Sequence, residues 1–212
     1  MVDWSTVASL ATAGGTLVLA IATFSSVRSA NRAARAAERS LLAGLRPVLV
    51  PSRLEDREEK LTWVDLHFTH LRGGRATVEL VDGIVYLAIS VRNVGTGIAV
   101  LQSWKPMAGR IHTEDPRGDL DSFRRQTRDI YVPAGDLSFW QGALREQGEA
   151  EYAPIAEAIA AREPITVDLL YSDHEGGQRM ITRFSLMPRA DGGCEWMPTV
   201  SRHFNLDRPD PR

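Results

Sequence analysis

The sequence has 212 residues, a formal net charge of −2 and one cysteine, Cys194. A lone cysteine excludes an intramolecular disulfide, and therefore an extracellular domain stabilised by disulfides within the chain. Residues 1–46 contain five arginines and two acidic residues, a net charge of +3, which leaves −5 for the remainder. That acidic remainder argues against nucleic acid as a partner, because nucleic-acid binders present positive patches to phosphates.

Residues 1–27 predict a transmembrane anchor, because residues 4–27 are uncharged. At about 1.5 Å per residue they form a helix roughly 36 Å long, whereas a bilayer core is about 30 Å thick. A signal peptide fits poorly, since the run is too long and no basic residue precedes it. A buried helix of a soluble protein is the stronger alternative, because serines and threonines are frequent here. Their hydroxyls can bond to the helix's own carbonyls, which makes the span acceptable.

Four residues at the ends of this span are predicted to anchor it. Trp4 and Phe24 are aromatic, as residues near membrane surfaces often are, and Arg28 and Arg32 follow close enough to interact with headgroups. Arginines follow the span and no basic residue precedes it, so the positive-inside rule places the N-terminus outside. The predicted location is the cell membrane, with a single pass and a cytoplasmic C-terminal domain.

Small residues within the span predict a partner helix. Ala11 and Gly15 are four positions apart, with Gly14 beside them, and this spacing lets two helix backbones approach closely. The partner is either a second copy of the chain or a helix of a membrane complex. The alternative is that glycine is common in transmembrane segments and needs no partner.

Residues 28–46 predict a juxtamembrane continuation of the helix, because strong helix formers dominate the segment. Its arginines share one face, and alanines with Leu41 share the opposite face. That apolar face either rests on the protein's own domain or forms a self-association seam. Gly44 and the junction between Arg46 and Pro47 end the helix, since proline disfavours the helical conformation in the residue before it.

Residues 47–206 change to a pattern of short strands and turns. Residues 48–50 lie between two prolines, which suits an edge strand. The clearest strand, 84–92, follows the hairpin turn of Asp82 and Gly83, and its alternating apolar residues predict one core-facing side. Further strands are predicted at 61–71, 76–81, 98–104, 129–132, 137–140, 165–171 and 180–186, with a loop at 106–128, a helix at 149–162 and a disordered tail at 207–212.

About eight short strands without regular strand–helix alternation favour an antiparallel sandwich over a parallel α/β sheet. The predicted fold class is mainly β. An N-terminal transmembrane helix, extended by the juxtamembrane helix, precedes an antiparallel immunoglobulin-like β-sandwich that contains one inserted helix.

Two short turns carry a resemblance to a known group of proteins. Residues 91–99 resemble the Asn-x-Gly-x-Gly-x-Ala turn of immunoglobulin-like bacterial domains, and residues 171–176 resemble their late Tyr-x-Asp-x-x-Gly hairpin. With the anchor and the Arg46–Pro47 junction, the chain is similar to small uncharacterised bacterial single-pass membrane proteins with a cytoplasmic immunoglobulin-like β-sandwich. The resemblance implies that fold and location. It implies no catalytic residues, because the family carries no known reaction.

Asp173, His174 and Glu175 are the one compact cluster of acid/base or metal-binding side chains in the sequence. Adjacent residues in a turn point in different directions, and a metal site would need ligands from a second segment. Turn-forming preferences explain the same residues equally well. His67 and His70 lie in a predicted strand, where they would point to opposite faces. No nucleophile elbow or phosphate-binding loop is present, so we expect no enzyme activity, metal or cofactor.

Two functions remain open. The first is a membrane-tethered protein-binding or scaffold module, which includes an accessory subunit of a membrane complex. The second is an enzyme or metal-binding domain that uses the turn at 173–175. We take the first as the prediction, with the lipid bilayer and a transmembrane helix as partners.

Overall fold

A computed structural model describes residues 3–111, 116–190 and 195–207. The chain divides into two units between Gly44 and Leu45, shortly before the predicted start of the β domain. The first unit is a helix and the second consists mainly of antiparallel strands. The predicted mainly β class with an N-terminal apolar helix is therefore confirmed.

The first unit is a single helix, α1 (Trp4–Gly44), which ends at the predicted glycine. Within it, Ala8–Leu42 is long and apolar enough to cross a membrane. The hydroxyls of the segment bond within the helix as expected: Ser9 donates to the carbonyl of Ser5, and Thr12 donates to that of Ala8, both at 2.9 Å. These bonds reduce the cost of placing hydroxyls in an apolar environment.

The described part of the second unit contains eleven strands, one α-helix and one short 3-10 helix. The strands are β1 (Leu49–Pro51), β2 (Glu59–Thr62), β3 (Phe68–Leu71), β4 (Ala76–Val81), β5 (Ile84–Asn93), β6 (Ala99–Ala108), β7 (Arg124–Val132), β8 (Leu137–Leu144), β9 (Ile165–Ser172), β10 (Met180–Pro188) and β11 (Glu195–Asn205). The helices are α2 (Tyr152–Ala161) and the 3-10 helix (Leu120–Ser122).

Nine of these strands form one antiparallel sheet. The strand order in the sheet is β8, β5, β4, β11, β10, β9, β6 and β7. The short strand β1 pairs with the last residues of β5. Strands β8 and β7 are therefore the two ends of the sheet. Side chains from both, including Leu144 and Val132, belong to the same buried core, so the sheet curves around a single interior. Strands β2 and β3 form a separate hairpin.

Strand β5 is buried on both faces. The four predicted core residues at 85, 87, 89 and 91 are fully buried, which confirms that face. Tyr86 and Ala88 on the opposite face are also buried, because Leu61, Trp63 and Leu71 of the β2–β3 hairpin pack over them. The alternating pattern of apolar residues in β5 predicts only one buried face, so it could not reveal that the hairpin covers the other.

Several local predictions are confirmed by the structure. The turn of Asp82 and Gly83 joins β4 to β5, and β1 lies at an edge of β5. The hairpin predicted from 165–171 and 180–186 is formed by β9 and β10. Helix α2 lies within the predicted range 149–162, and its Tyr152 and Ile155 pack into the core.

Other predictions are wrong. Residues 61–71 do not form one strand: β2 and β3 are separated by a turn in which Leu66 adopts a left-handed φ of 68°. The strand predicted at 98–104 is longer, since β6 runs from Ala99 to Ala108, and its neighbours in the sheet are β9 and β7. The loop predicted at 106–128 is shorter, since β6 extends to Ala108 and β7 begins at Arg124.

The C-terminal segment contains a strand that the sequence analysis missed. Strand β11 pairs with β10 along its length although it contains Pro198 and several polar residues. Of the predicted tail, Asp207 is described, and its carboxylate accepts hydrogen bonds from the backbone and guanidinium of Arg179, at 2.7 and 2.6 Å. Residues 208–212 lie outside the described residues.

The buried side chain of Asn93 organises the turn after β5. Its oxygen accepts hydrogen bonds from the backbone of Val48 at 3.1 Å and of Gly95 at 2.9 Å. Its amide nitrogen donates to the carbonyls of Gly97 at 2.7 Å and Val132 at 3.0 Å. One side chain therefore ties the segment before β1, the turn itself and the end of β7 together.

The glycines of this turn allow a close backbone approach. A Cβ atom on Gly97 would lie 1.8 Å from the carbonyl oxygen of Leu45, and one on Gly95 would lie 2.4 Å from that of Arg46. Real Cβ atoms do not approach backbone so closely, so the chain segment 45–47 can occupy this position only beside glycine.

We expect Gly97→Ala to destabilise the β domain by about 2–3 kcal/mol, because the added methyl group must displace the backbone at Leu45. Urea unfolding followed by tryptophan fluorescence measures the change. Gly148→Ala is the control, since no described atom lies within 4 Å of a Cβ atom added there. Equal midpoints for the two variants would contradict this account of the turn.

Candidate functional site

A groove lies between the two ends of the nine-stranded sheet, β7 and β8, beside the β2–β3 hairpin. It has a volume of about 230 Å³. Its lining combines backbone, aliphatic, amide and guanidinium groups, and includes Trp63, Gln126, Arg128, Ile130, Gln141 and Arg145.

Both strands beside the groove present open sheet edges. In the ladder with β6, Ile130 pairs with Leu101 and Arg125 pairs with Ser103, so residues 126–129 form a bulge without a β6 partner. Strands β7 and β8 are not paired with each other in the described sheet. The amide of Gln126 donates to the carbonyl of Gln141 across the groove, at 2.8 Å. Open edges of this kind are templates for an additional extended segment.

The hairpin fixes the wall formed by β8. The indole nitrogen of Trp63 donates to the carbonyl of Gly142 at 3.3 Å, and the amide of Gln141 donates to the carbonyl of Thr62 at 3.4 Å. A Cβ atom on Gly142 would lie 2.8 Å from the rings of both Trp104 and Trp140, so this wall also depends on glycine.

The side-chain oxygen of Gln141 is buried and has no hydrogen-bond donor among the described residues. Buried polar atoms normally have a partner, and one without a partner needs an explanation. Among the described residues, buried side-chain atoms of Arg46, Arg92, Trp140 and Asp173 also lack a partner, so this feature is not specific to the groove.

The charged residues that line the groove are Arg128 and Arg145. Arg145 lies 3.1 Å from the carboxylate of Asp65, which also accepts a hydrogen bond from the hydroxyl of Tyr86 at 2.8 Å. Burial opposes the ionisation of Asp65, but the hydrogen bonds from Tyr86 and Arg145 outweigh it and lower its pKa below 3.8. Asp65 is therefore ionised at neutral pH and holds Arg145 in place.

Exposed apolar side chains lie at the tip of the hairpin. Val64 is 80% exposed, Leu66 81% and Phe68 56%. Val64 also lines the groove, so the apolar tip and the groove form one continuous surface. Exposed apolar surface next to a polar groove is a common feature of protein interaction sites.

The residues predicted for membrane anchoring and helix contact belong to the helical unit. Trp4 and Ala11 lie in α1, and the side chains of Phe24, Arg28 and Arg32 are exposed along it. Gly14 and Gly15 are open, since no described atom that could obstruct an added Cβ lies within 4 Å of either.

The turn at 173–175 has a structural explanation. Asp173 is buried, and one of its carboxylate oxygens accepts hydrogen bonds from the backbone of Glu175 at 3.0 Å and of Gly177 at 2.9 Å. His174 lies 3.5 Å from the carboxylate of Glu175. Within the described ranges, no group of three His, Cys, Asp or Glu side chains is arranged to hold a metal ion.

The two histidines of the hairpin region have separate partners. His67 lies 2.8 Å from a carboxylate oxygen of Glu79, and His70 lies 2.9 Å from one of Glu58. Cys194 lies outside the described residues.

Comparison with protein-family models, curated proteins and solved structures gave no match. The resemblance of residues 91–99 and 171–176 to immunoglobulin-like bacterial domains therefore stays a prediction. The sequence did not predict the groove. One sequence signal points to it: Gly142 interrupts an otherwise strand-like pattern, and such a glycine often marks a close approach of another chain segment.

We expect Asp65→Asn to lower the pKa of Tyr86, which burial and the Asp65 carboxylate together raise to about 12. The phenolate absorbance followed against pH measures this shift, and Tyr86→Phe identifies which titration belongs to Tyr86. The raised folded-state pKa means that this stabilisation is complete below pH 10 and is lost as the pH rises towards 12. An unchanged Tyr86 titration in Asp65→Asn would contradict the arrangement.

Proposed function

We propose that this protein is a membrane-tethered protein-binding module. The observation that carries the proposal is the groove between two open sheet edges, which continues onto the apolar tip of the hairpin. Helix α1 serves as the tether, since Ala8–Leu42 is long and apolar enough to cross a membrane.

The composition of the groove favours a protein partner over a small-molecule substrate. Its volume of about 230 Å³ is below the range of roughly 300–1,000 Å³ that is usual for small-molecule sites. Its walls offer strand edges, amides and two arginines, and within the described part of the chain no acidic residue or histidine lines it. These groups suit recognition of a peptide backbone and of carboxylates.

The proposed location is the cell membrane, with the N-terminus outside and the β domain in the cytoplasm. Arg28, Arg32 and further arginines follow the apolar segment, whereas no basic residue precedes it. We also infer that the β domain is related to immunoglobulin-like sandwiches, with α2 as an insertion. The bonds of Asn93 in the first resembling turn support this relation.

A photo-crosslinking amino acid in place of Thr127, which is exposed and lines the groove, tests the proposal. In membranes that contain the full-length protein, we expect illumination to give a discrete adduct with a second protein. The same amino acid at Ala160, exposed on α2, is the control and should give none. Failure to form an adduct at Thr127, or identical adducts at both sites, would contradict a binding role for the groove.

The span is proposed to contact another helix, either from a second copy or from a membrane complex to which this chain is an accessory subunit. No described atom outside the neighbouring helix backbone lies within 4 Å of a Cβ atom added at Gly15, so we expect Gly15→Leu to act on the contacts that this face makes with other helices. We expect Gly15→Leu to abolish self-association in a membrane two-hybrid assay, or to release a co-purifying protein from mild-detergent extracts.

Ala20→Leu is the control for this prediction, because position 20 is about 140° around the helix from position 15 at 3.6 residues per turn. It should leave the association unchanged. The prediction is contradicted if the wild-type protein is monomeric, co-purifies with no other protein and behaves in the same way as Gly15→Leu. Helix α1 would then serve only as a tether.

A further inference from the structure

The charge of the groove indicates what it binds. Arg128 on β7 and Arg145 just after β8 both line it, and none of the described residues that line it is acidic. Arg128 forms no ion pair with any described residue, and Arg145 contacts Asp65 through one terminal nitrogen while its side chain stays 39% exposed. A guanidinium group presents a planar set of donors that matches a carboxylate.

The backbone of the groove indicates the conformation of the occupant. In the described sheet, β7 pairs on one side only, with β6, and β8 pairs on one side only, with β5. A segment that adds to such edges must be extended, because it makes main-chain hydrogen bonds in the pattern of a strand.

Strand β7 disfavours a second copy of this chain as the occupant. It carries Arg124, Arg125 and Arg128 against one acidic residue, Asp129, and Arg124 is paired with Glu149. Two such strands side by side would bring like charges together, which is destabilising, and bulges and charges are known to protect edges from self-pairing. The same charges attract an acidic strand.

We propose that the groove binds an extended acidic segment of another protein as an added strand, with Arg128 and Arg145 pairing with its carboxylates. This inference rests on the proposed protein-binding function and specifies the conformation and charge of the partner.

Selection of short random peptides on the full-length protein in lipid nanodiscs tests the inference, with nanodiscs that carry the variant Arg128→Glu used for counter-selection. We expect enriched peptides with Asp or Glu at alternating positions. They should bind Arg128→Glu at least roughly tenfold more weakly than the wild type. Arg128→Gln, which removes the charge without reversing it, should give an intermediate loss.

Two controls separate a contact in the groove from a general charge effect. Arg117→Glu makes the same change at an exposed arginine outside the groove lining and should leave peptide affinity almost unchanged. A selected peptide with its key Glu replaced by Lys should bind Arg128→Glu better than it binds the wild type. Circular dichroism melts confirm that each variant is folded, and Arg128→Gln replaces Arg128→Glu if the latter is not.

Several outcomes would overturn the inference: no enrichment, enrichment of neutral or basic peptides, or equal losses in Arg117→Glu and Arg128→Glu. If no peptide is enriched and Arg128→Glu instead weakens binding to phosphatidylserine vesicles, the arginines serve a lipid surface. A protein adduct at Thr127 together with non-acidic peptides would leave the proposed function intact and refute only the charge of the partner. Absence of both adduct and peptides would refute both.

Discussion

The burial of β5 on both faces is the constraint on which the rest of the β domain depends. One face supplies the centre of the core, and the other supports the hairpin through Tyr86 and Ala88. Its edges are occupied by β4, β8 and β1. Because β8 and the hairpin are both attached to β5, this strand also sets one wall of the groove. The opposite wall belongs to β7, which reaches the sheet through β6.

The elements that the sequence predicts correctly are those with local signals. Glycine and proline mark the end of α1, Asp82 and Gly83 form a tight turn, and helical periodicity identifies α2. The errors concern the turn that separates β2 from β3, and strand β11, which pairs with β10 despite Pro198. Strand β6 follows β5 in sequence but lies beside β9. Such pairings depend on the tertiary structure, and one sequence contains little information about them.

The candidate site was inaccessible to sequence reasoning for the same reason. Strands β7 and β8 are close in the chain, yet each pairs with a different neighbour, and the space between them exists only because the sheet curves. The polar cluster that the sequence did reveal, at 173–175, uses Asp173 to hold a hairpin turn. Asp is both a common turn residue and a common metal ligand or acid/base group. Composition alone therefore cannot distinguish a structural turn from a metal or catalytic site.

The bulge at 126–129 has an evolutionary consequence. Its residues lack partners on β6, and Thr127, Arg128 and Asp129 are exposed, so substitutions there leave the packing of the core almost unaffected. This exposed stretch of β7 can therefore diverge between descendants of this protein while the fold is retained. By contrast, Gly142 on the facing wall touches two buried tryptophans and allows little variation. One wall of the groove can therefore change in sequence while the other keeps its shape.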